Sequence, residues 1–378
     1  MSAIKTAWDL SLLYKSLKDP QIERDVRAME RATVLFEKKY RGKDAYLKTP
    51  VALAKALADY EKLIEAPEGK PIMYAHYTKE LDSANTEAEG LLRRLEERYT
   101  KSGNRLLFFG LAIAKIPKEK HGRFLKHPTL KCHRYFLDRT WKTAKYDRTE
   151  AEEKILSLMA TPSYTLWVDG LEKALSKRSV EWQGNTVPLA GAQNLVRSLP
   201  TQAERIDLWK HITDAFDSVS DFAESELNAV IVNRRIRQEL RGYKYSAEST
   251  ILAHENEPKT VKNLIAAVSG AFDLSQEFYA LKKQLLRLPH LTYADRAVPL
   301  AVEEKDIPFS EAAHMVGTAF RKLHPRYEEA LHKFLTNGQI DVYPKKGKAG
   351  GAYCSHSHGL PTFILLNHVN DFESMMTL

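Results

Sequence analysis

Before about residue 338 the apolar positions recur almost everywhere with helical period. Val261, Leu264, Ile265, Val268 and Phe272 fall at steps of three and four, which predicts one face of a helix. Thr201-Gln-Ala-Glu204 after Pro200 has the form of a capping box: hydroxyl and carboxylate can each satisfy a free N–H at a helix start. A long helix is expected to follow, carrying Ile206, Trp209, Ile212, Phe216 and Val219 inward. Ser310 after Pro308 predicts another start, with a helix running through Phe320 towards Leu331 and Phe334. Strand signals are few. Val180–Gln183, a Gly184-Asn185 turn and Thr186-Val187 predict a hairpin, and further strands are expected at 340–343, 352–354 and 362–366. The pattern is that of a mainly α protein with a small β-sheet near the C-terminal end of the chain. Three zones follow: a helical lobe at 1–112, a basic stretch at 113–187 ending in the hairpin, and long helices with terminal strands at 200–378.

Composition narrows this only modestly. With 378 residues, 43% hydrophobic and 28% charged, the chain reads as a soluble globular protein of two or three subdomains. Cys132 and Cys354 lie too far apart in sequence to read as a disulfide framework, Trp8 and Asp9 interrupt any signal-peptide pattern, and the apolar run Leu106–Ala114 is too short to cross a bilayer; a cytoplasmic protein is expected, without membrane partners. The net charge of +8 is concentrated. Residues 115–148 hold eleven Lys or Arg against three Asp or Glu, and the remainder balances at 46 against 46. Tyr135, Phe136 and Trp141 in that stretch fit the buried stripe of amphipathic helices better than a nucleic-acid surface, which no binding motif accompanies.

The loop from Lys345 to Gly351 carries three lysines and three glycines. It lacks the Gly-x-x-x-x-Gly-Lys-Ser/Thr order and the following helix that a nucleotide site needs. It reads either as a ledge where glycines admit an extended peptide beside a strand edge, or as a plain solvated turn. Cys354, His356 and His358 would share one face of an extended chain and are zinc-competent donors, but a structural site needs a fourth ligand. His254-Glu-Asn-Glu-Pro258 begins like a zinc helix, yet Pro258 stands where the second histidine belongs and would break the helix.

Several segments together resemble the oligoendopeptidase F family of zinc peptidases. They are Trp8-Asp-Leu-Ser-Leu-Leu-Tyr14, His133-Arg-Tyr-Phe-Leu137 with Glu152-Glu-Lys-Ile-Leu156, Arg241-Gly-Tyr-Lys-Tyr-Ser-Ala-Glu248, Gly347-Lys-Ala-Gly-Gly-Ala-Tyr-Cys354 and Ile364-Leu-Leu-Asn367. The resemblance implies a helical clamshell-type oligopeptidase fold that hydrolyses short peptides with a zinc ion held by a His-Glu-x-x-His helix. In that family such a helix follows the Thr-Leu with which this sequence stops, so the resemblance also implies a catalytically incomplete front portion, binding no catalytic zinc by itself and completed by a separate C-terminal polypeptide. A complete, non-catalytic peptide-binding or regulatory protein of the same fold is the alternative. What the resemblance carries over is a substrate-facing ledge at Gly350, Gly351, Ala352, Tyr353 and Cys354, with Asn367 near the start of the expected helix. Phe363–Leu366, Phe372, Met375 and Met376 are expected to await helices beyond residue 378, leaving an apolar patch.

Overall fold

The computed structural model describes residues 4–65, 69–300, 306–345, 347–370 and 375–376. Contacts divide the chain into two compact units, one of residues 1–157 with 304–378 and one of residues 158–303, cutting at other points than the three zones of the sequence.

The first unit begins with helices α1 (Pro20–Tyr40), α2 (Pro50–Glu65), α3 (Lys70–Leu81), α4 (Thr86–Ala114), α5 (Lys118–Lys126), α6 (Arg134–Thr143) and α7 (Glu150–Ala160), the last running across its boundary. α1 shows how the pattern becomes structure. Asp19 caps it by accepting from the Gln21 N–H, Pro20 fits the first turn, and Ile22, Val26, Met29, Phe36 and Tyr40 are buried along one stripe. α4 starts on the Asn85 cap, and the apolar run 106–114 forms its last turns, with Phe108, Phe109 and Ile113 buried in a core with Phe36, Leu53 and Phe124. Among the described residues no helix is long and apolar enough to cross a membrane.

In the basic stretch the burial differs from expectation. Tyr135 and Phe136 are exposed, while Phe124, Leu130 and Leu137 are fully buried. Leu137 and Trp141 are one helical turn apart and take the inward face of α6, which turns 135 and 136 outward. Trp141 stacks on His121 at 3.7 Å between ring centres and donates its indole N–H to Ile113 O.

The second unit contains α8 (Leu166–Ser176), a hairpin of β1 (Ser179–Trp182) and β2 (Asn185–Pro188), then α9 (Leu189–Val196), α10 (Gln202–Asp217), α11 (Ser220–Arg241), α12 (Glu248–Ala253), α13 (Pro258–Ser269) and α14 (Phe272–Leu285). The hairpin turns one residue earlier than expected: Trp182 pairs with Asn185, and Gln183 and Gly184 take positive φ of 50° and 76°. That two-residue geometry needs positive φ at both central positions. The Thr201–Glu204 capping box forms as read and opens α10. Leu208 and Ile212 are its fully buried apolar residues, whereas Ile206 is exposed. Gly270 ends α13 before Phe272, and Leu264, Ile265, Val268 and Phe272 are exposed; the periodicity identified a helix but not a buried face.

The chain then returns to the first unit through α15 (Phe309–Leu323) and α16 (Pro325–Asn337). The single helix expected here is two, because Pro325 supplies no N–H and holds His324 extended at φ −166°, ψ 135°. Strands β3 (Ile340–Asp341), β4 (Tyr353–Ser355) and β5 (Phe363–Leu365) form a sheet in the order β3-β5-β4, β3 parallel and β4 antiparallel to β5. The fold is thus mainly helical with small sheets, the larger near the C-terminal end.

Candidate functional site

The three-stranded sheet is buried on both faces where β3 and β5 lie. Ile340, Val342 and Leu366 pack on Phe309, Ala313, Leu331 and Leu335 of α15 and α16. Phe363, Leu365 and the half-buried Tyr353 pack on Trp8, Tyr77, Leu91 and Leu95. The N-terminal segment closes the β3 side: Val342 N–H donates to Thr6 O at 3.0 Å, and Trp8 donates its indole N–H to Ile364 O at 2.8 Å. Phe363, Leu365 and Leu366 therefore bury themselves within this chain, contrary to the expectation that they await further helices. Met375 is also buried, packed with Ile307 and Ala312, and Met376 is exposed; Phe372 lies outside the described residues.

The other side of the sheet is open. Ile364 and Leu366 donate their N–H groups towards β3, to Gln339 O and Asp341 O, both at 2.8 Å. Alternation then turns the polar groups of Phe363 and Leu365 to β4, where Ser355 and Tyr353 stand opposite them. Cys354, between these two, directs its N–H and C=O away from β5. Among the described residues no strand pairs with that edge. Cys354 and Ala352 are exposed, whereas Tyr353 and Ser355 turn inward, Ser355 Oγ lying 2.7 Å from Tyr77 OH. Burial, and then the charge of Glu80, raise the Tyr353 pKa, so its phenol stays protonated.

The loop leading into β4 is held from three sides. Ser83 N–H donates to Gly347 O and Ala349 N–H to Glu80 O, both at 2.8 Å. Gly347 has φ +83°, and a Cβ there would lie 2.8 Å from Asp82 Oδ1. Asn367 Nδ2 donates to Ala349 O at 3.0 Å and Gly351 O at 2.8 Å. The structure thus brings Asn367 to the glycine ledge, with its amide spent on the loop backbone. Gly350 and Gly351 are exposed, with nothing within 4 Å of where a Cβ would stand.

The described lysines of this loop, Lys345 and Lys348, do not form an anion cradle. The side chain of Lys348 is turned inward and fully buried, 2.7 Å from Asp341 Oδ1, and Lys345 lies 3.4 Å from Asp341 Oδ2. Lys346 lies outside the described residues. Asp341 was not singled out from the sequence. Its signal was there: a lone carboxylate between Ile340 and Val342 in a buried strand has to meet a cation.

The described residues do not fit a zinc ion. Cys354, His356 and His358 are exposed, His356 Nδ1 lies 2.9 Å from Thr362 Oγ1, and no group of three His, Cys, Asp or Glu side chains among the described residues is placed to hold a metal. His254 and Glu255 stand outside a helix, since α12 ends at Ala253 and Glu255 has φ +56°.

Comparison with known proteins bears on this mainly helical fold and its small sheets. The family model described as Oligopeptidase F matches residues 113–169. Oligopeptidase PepF of Bacillus subtilis is 24% identical over 351 residues, covering 90% of this chain and 51% of the relative. An oligoendopeptidase F homolog of Borreliella burgdorferi is 25% identical over 382 residues, covering 98% of this chain and 62% of the relative. The solved oligoendopeptidase-F of Enterococcus faecium superposes with a TM-score of 0.65 at 16% identity, covering 84% of this chain and 64% of that one. PZ peptidase A, solved with an inhibitor, gives 0.70 at 13% identity, covering 95% and 61%. The fold is that of the oligoendopeptidase F structures over the matched part, and the resemblance read from the sequence motifs is supported by profile, relatives and fold alike. The chain spans about half to three-fifths of the length of these two curated relatives.

Proposed function

We propose that residues 1–378 form the peptide-bearing portion of a zinc-dependent oligoendopeptidase that hydrolyses short peptides. The observation that carries this reading is the open edge of β4. Cys354 offers one N–H and one C=O to an incoming strand, the two groups an extended peptide needs to add itself to a sheet at about 4.8 Å spacing. Gly350 and Gly351 beside it leave room for a second backbone to come close. Ala352 and Cys354 face the peptide, Tyr353 anchors the strand from behind, and Asn367 holds the loop. The names of the relatives support peptide-bond hydrolysis as the reaction.

Zinc belongs to the whole enzyme in this reading, and its ligands come from polypeptide other than the described residues of this chain. Residues 1–378 alone bind short peptides, hold no catalytic zinc and do not hydrolyse; a polypeptide carrying a His-Glu-x-x-His helix completes the site. The two free, exposed cysteines suit a reducing cytosol. The test is a quenched-fluorescence assay on an internally labelled heptapeptide with zinc present. Hydrolysis is expected only after the completing polypeptide is added. Turnover by residues 1–378 alone, abolished by chelation, would overturn the division of labour.

A further inference from the structure

Lys348 stands at the C-terminal ends of the two parallel strands with its ammonium wholly inside the protein. Besides Asp341 Oδ1 at 2.7 Å, its Nζ lies 3.2 Å from Asp341 O, 2.8 Å from Tyr343 O and 2.5 Å from Leu366 O. Three donors thus meet four oxygens drawn from β3, from the residues after it and from the end of β5. Asp341 is almost fully buried as well, and its Oδ2 accepts from the Trp8 N–H at 3.3 Å. One ion pair therefore ties the N-terminal segment, β3, the loop and the end of β5 together.

Stability alone explains such a pair poorly. Taking both charges out of water offsets most of their attraction, and apolar side chains of equal volume often hold a core as well or better. The measurable consequence of burial is a lowered Lys348 pKa, opposed by its bonds to Asp341. What the pair supplies that methyl groups cannot is direction. Lys348 fixes the chain just before the glycines; Asn367 holds it on both sides of Gly350, through Ala349 O and Gly351 O. The two glycines held there have open space where side chains would stand, and two residues later the chain becomes the edge strand.

We propose that Lys348 and Asp341 form a buried latch that sets the glycine loop, and through it the edge of β4, at the position where a peptide pairs. Both are positioning residues, and the inference rests on the edge-pairing reading above. Three variants of the whole chain test it: Lys348→Met, Lys348→Arg and the double variant Lys348→Met with Asp341→Asn, which removes both charges and keeps a folded reference should the single change fail to fold. Amide exchange is measured residue by residue, together with affinity for a fluorescein-labelled Lys-Ala-Ala-Ala-Ala-Ala-Lys peptide. Lys348→Met is expected to speed exchange at 348–355 by about tenfold or more, with α3, α4 and α16 unchanged, and to weaken peptide binding by a similar factor. Lys348→Arg keeps the charge and recovers part of both. The double variant is expected to regain melting temperature but not peptide affinity. Unchanged exchange at 348–355, protection lost evenly over the whole first unit, or recovery of affinity in the double variant would each overturn the latch. A wild-type chain that binds no peptide would defeat the edge-pairing reading instead, and the exchange pattern would still judge the latch.

Discussion

Replacing Asn367 separates two roles that the sequence could not tell apart. Its side-chain amide donates to Ala349 O at 3.0 Å and to Gly351 O at 2.8 Å, and it is half-buried. Each such bond contributes about 0.5–1.5 kcal/mol net, so Asn367→Ala should loosen the loop by about 1–3 kcal/mol. At 1.4 kcal/mol per factor of ten, that is roughly 5- to 150-fold in local opening. Asn367→Asp keeps the shape but sets a carboxylate against two carbonyl oxygens, and should be worse than alanine near neutral pH, recovering as the carboxyl protonates. Amide exchange by mass spectrometry over 345–356, read beside the affinity for a labelled heptapeptide, is the assay. The structure predicts that both change together. Lost affinity with unchanged exchange would mean that the amide contacts the peptide directly, and no change in either would refute the role altogether.

Other consequences are as sharp. Gly351 has φ +77°, so Gly351→Ala should cost about 1 kcal/mol or more in thermal or urea unfolding; Gly350→Ala meets no neighbour and should be neutral to slightly stabilising, yet weaken peptide binding. In the second unit, Asp295 is fully buried and pairs with the buried Arg205 at 2.8 Å. Asp295→Asn leaves that guanidinium without its countercharge and should cost about 3–5 kcal/mol, seen as lost exchange protection in the second unit. Burial alone would raise the Asp295 pKa, but bonds from Gln202, Thr292 and Arg205 outweigh it and hold the carboxyl below its usual 3.8. The unfolded chain then binds the extra proton, so this contribution is complete above pH 3.8 and is lost as pH falls below it; an acid titration of the asparagine variant should lack that step. Trp8→Phe removes the bond to Ile364 O and should destabilise the first unit by about 1 kcal/mol, with loosened exchange at β5.

Local signals in the sequence were faithful where the chain decides its own geometry. The Thr201 capping box, the hairpin near 180 and the three terminal strands all formed, because caps, alternation and turn residues act within a few positions. Facing was less legible. Periodicity marked 261–268 as a helix without saying that its apolar face lies exposed, and it placed Phe136 inward where Leu137 won the core. Pro325 was a visible break that the pattern across it concealed. At the candidate site, the sequence grouped Gly350 to Cys354 and Asn367, and the structure brings them together. The Asp341–Lys348 pair was hidden because a lysine in a glycine loop reads as solvated, and the oxygens that draw it inside come from segments far from it in local pattern: Asp341 and Tyr343 at and after β3, and Leu366 after β5.

The open edge of β4 is the central claim, and nitrogen-labelled NMR on residues 1–378 tests it most directly. On titration with an unlabelled heptapeptide, the Cys354 amide should shift downfield and become protected from exchange, with smaller effects at Gly350 and Gly351 and none at β3. Peptide binding that leaves Cys354 unprotected, or perturbs a different surface, would contradict the account.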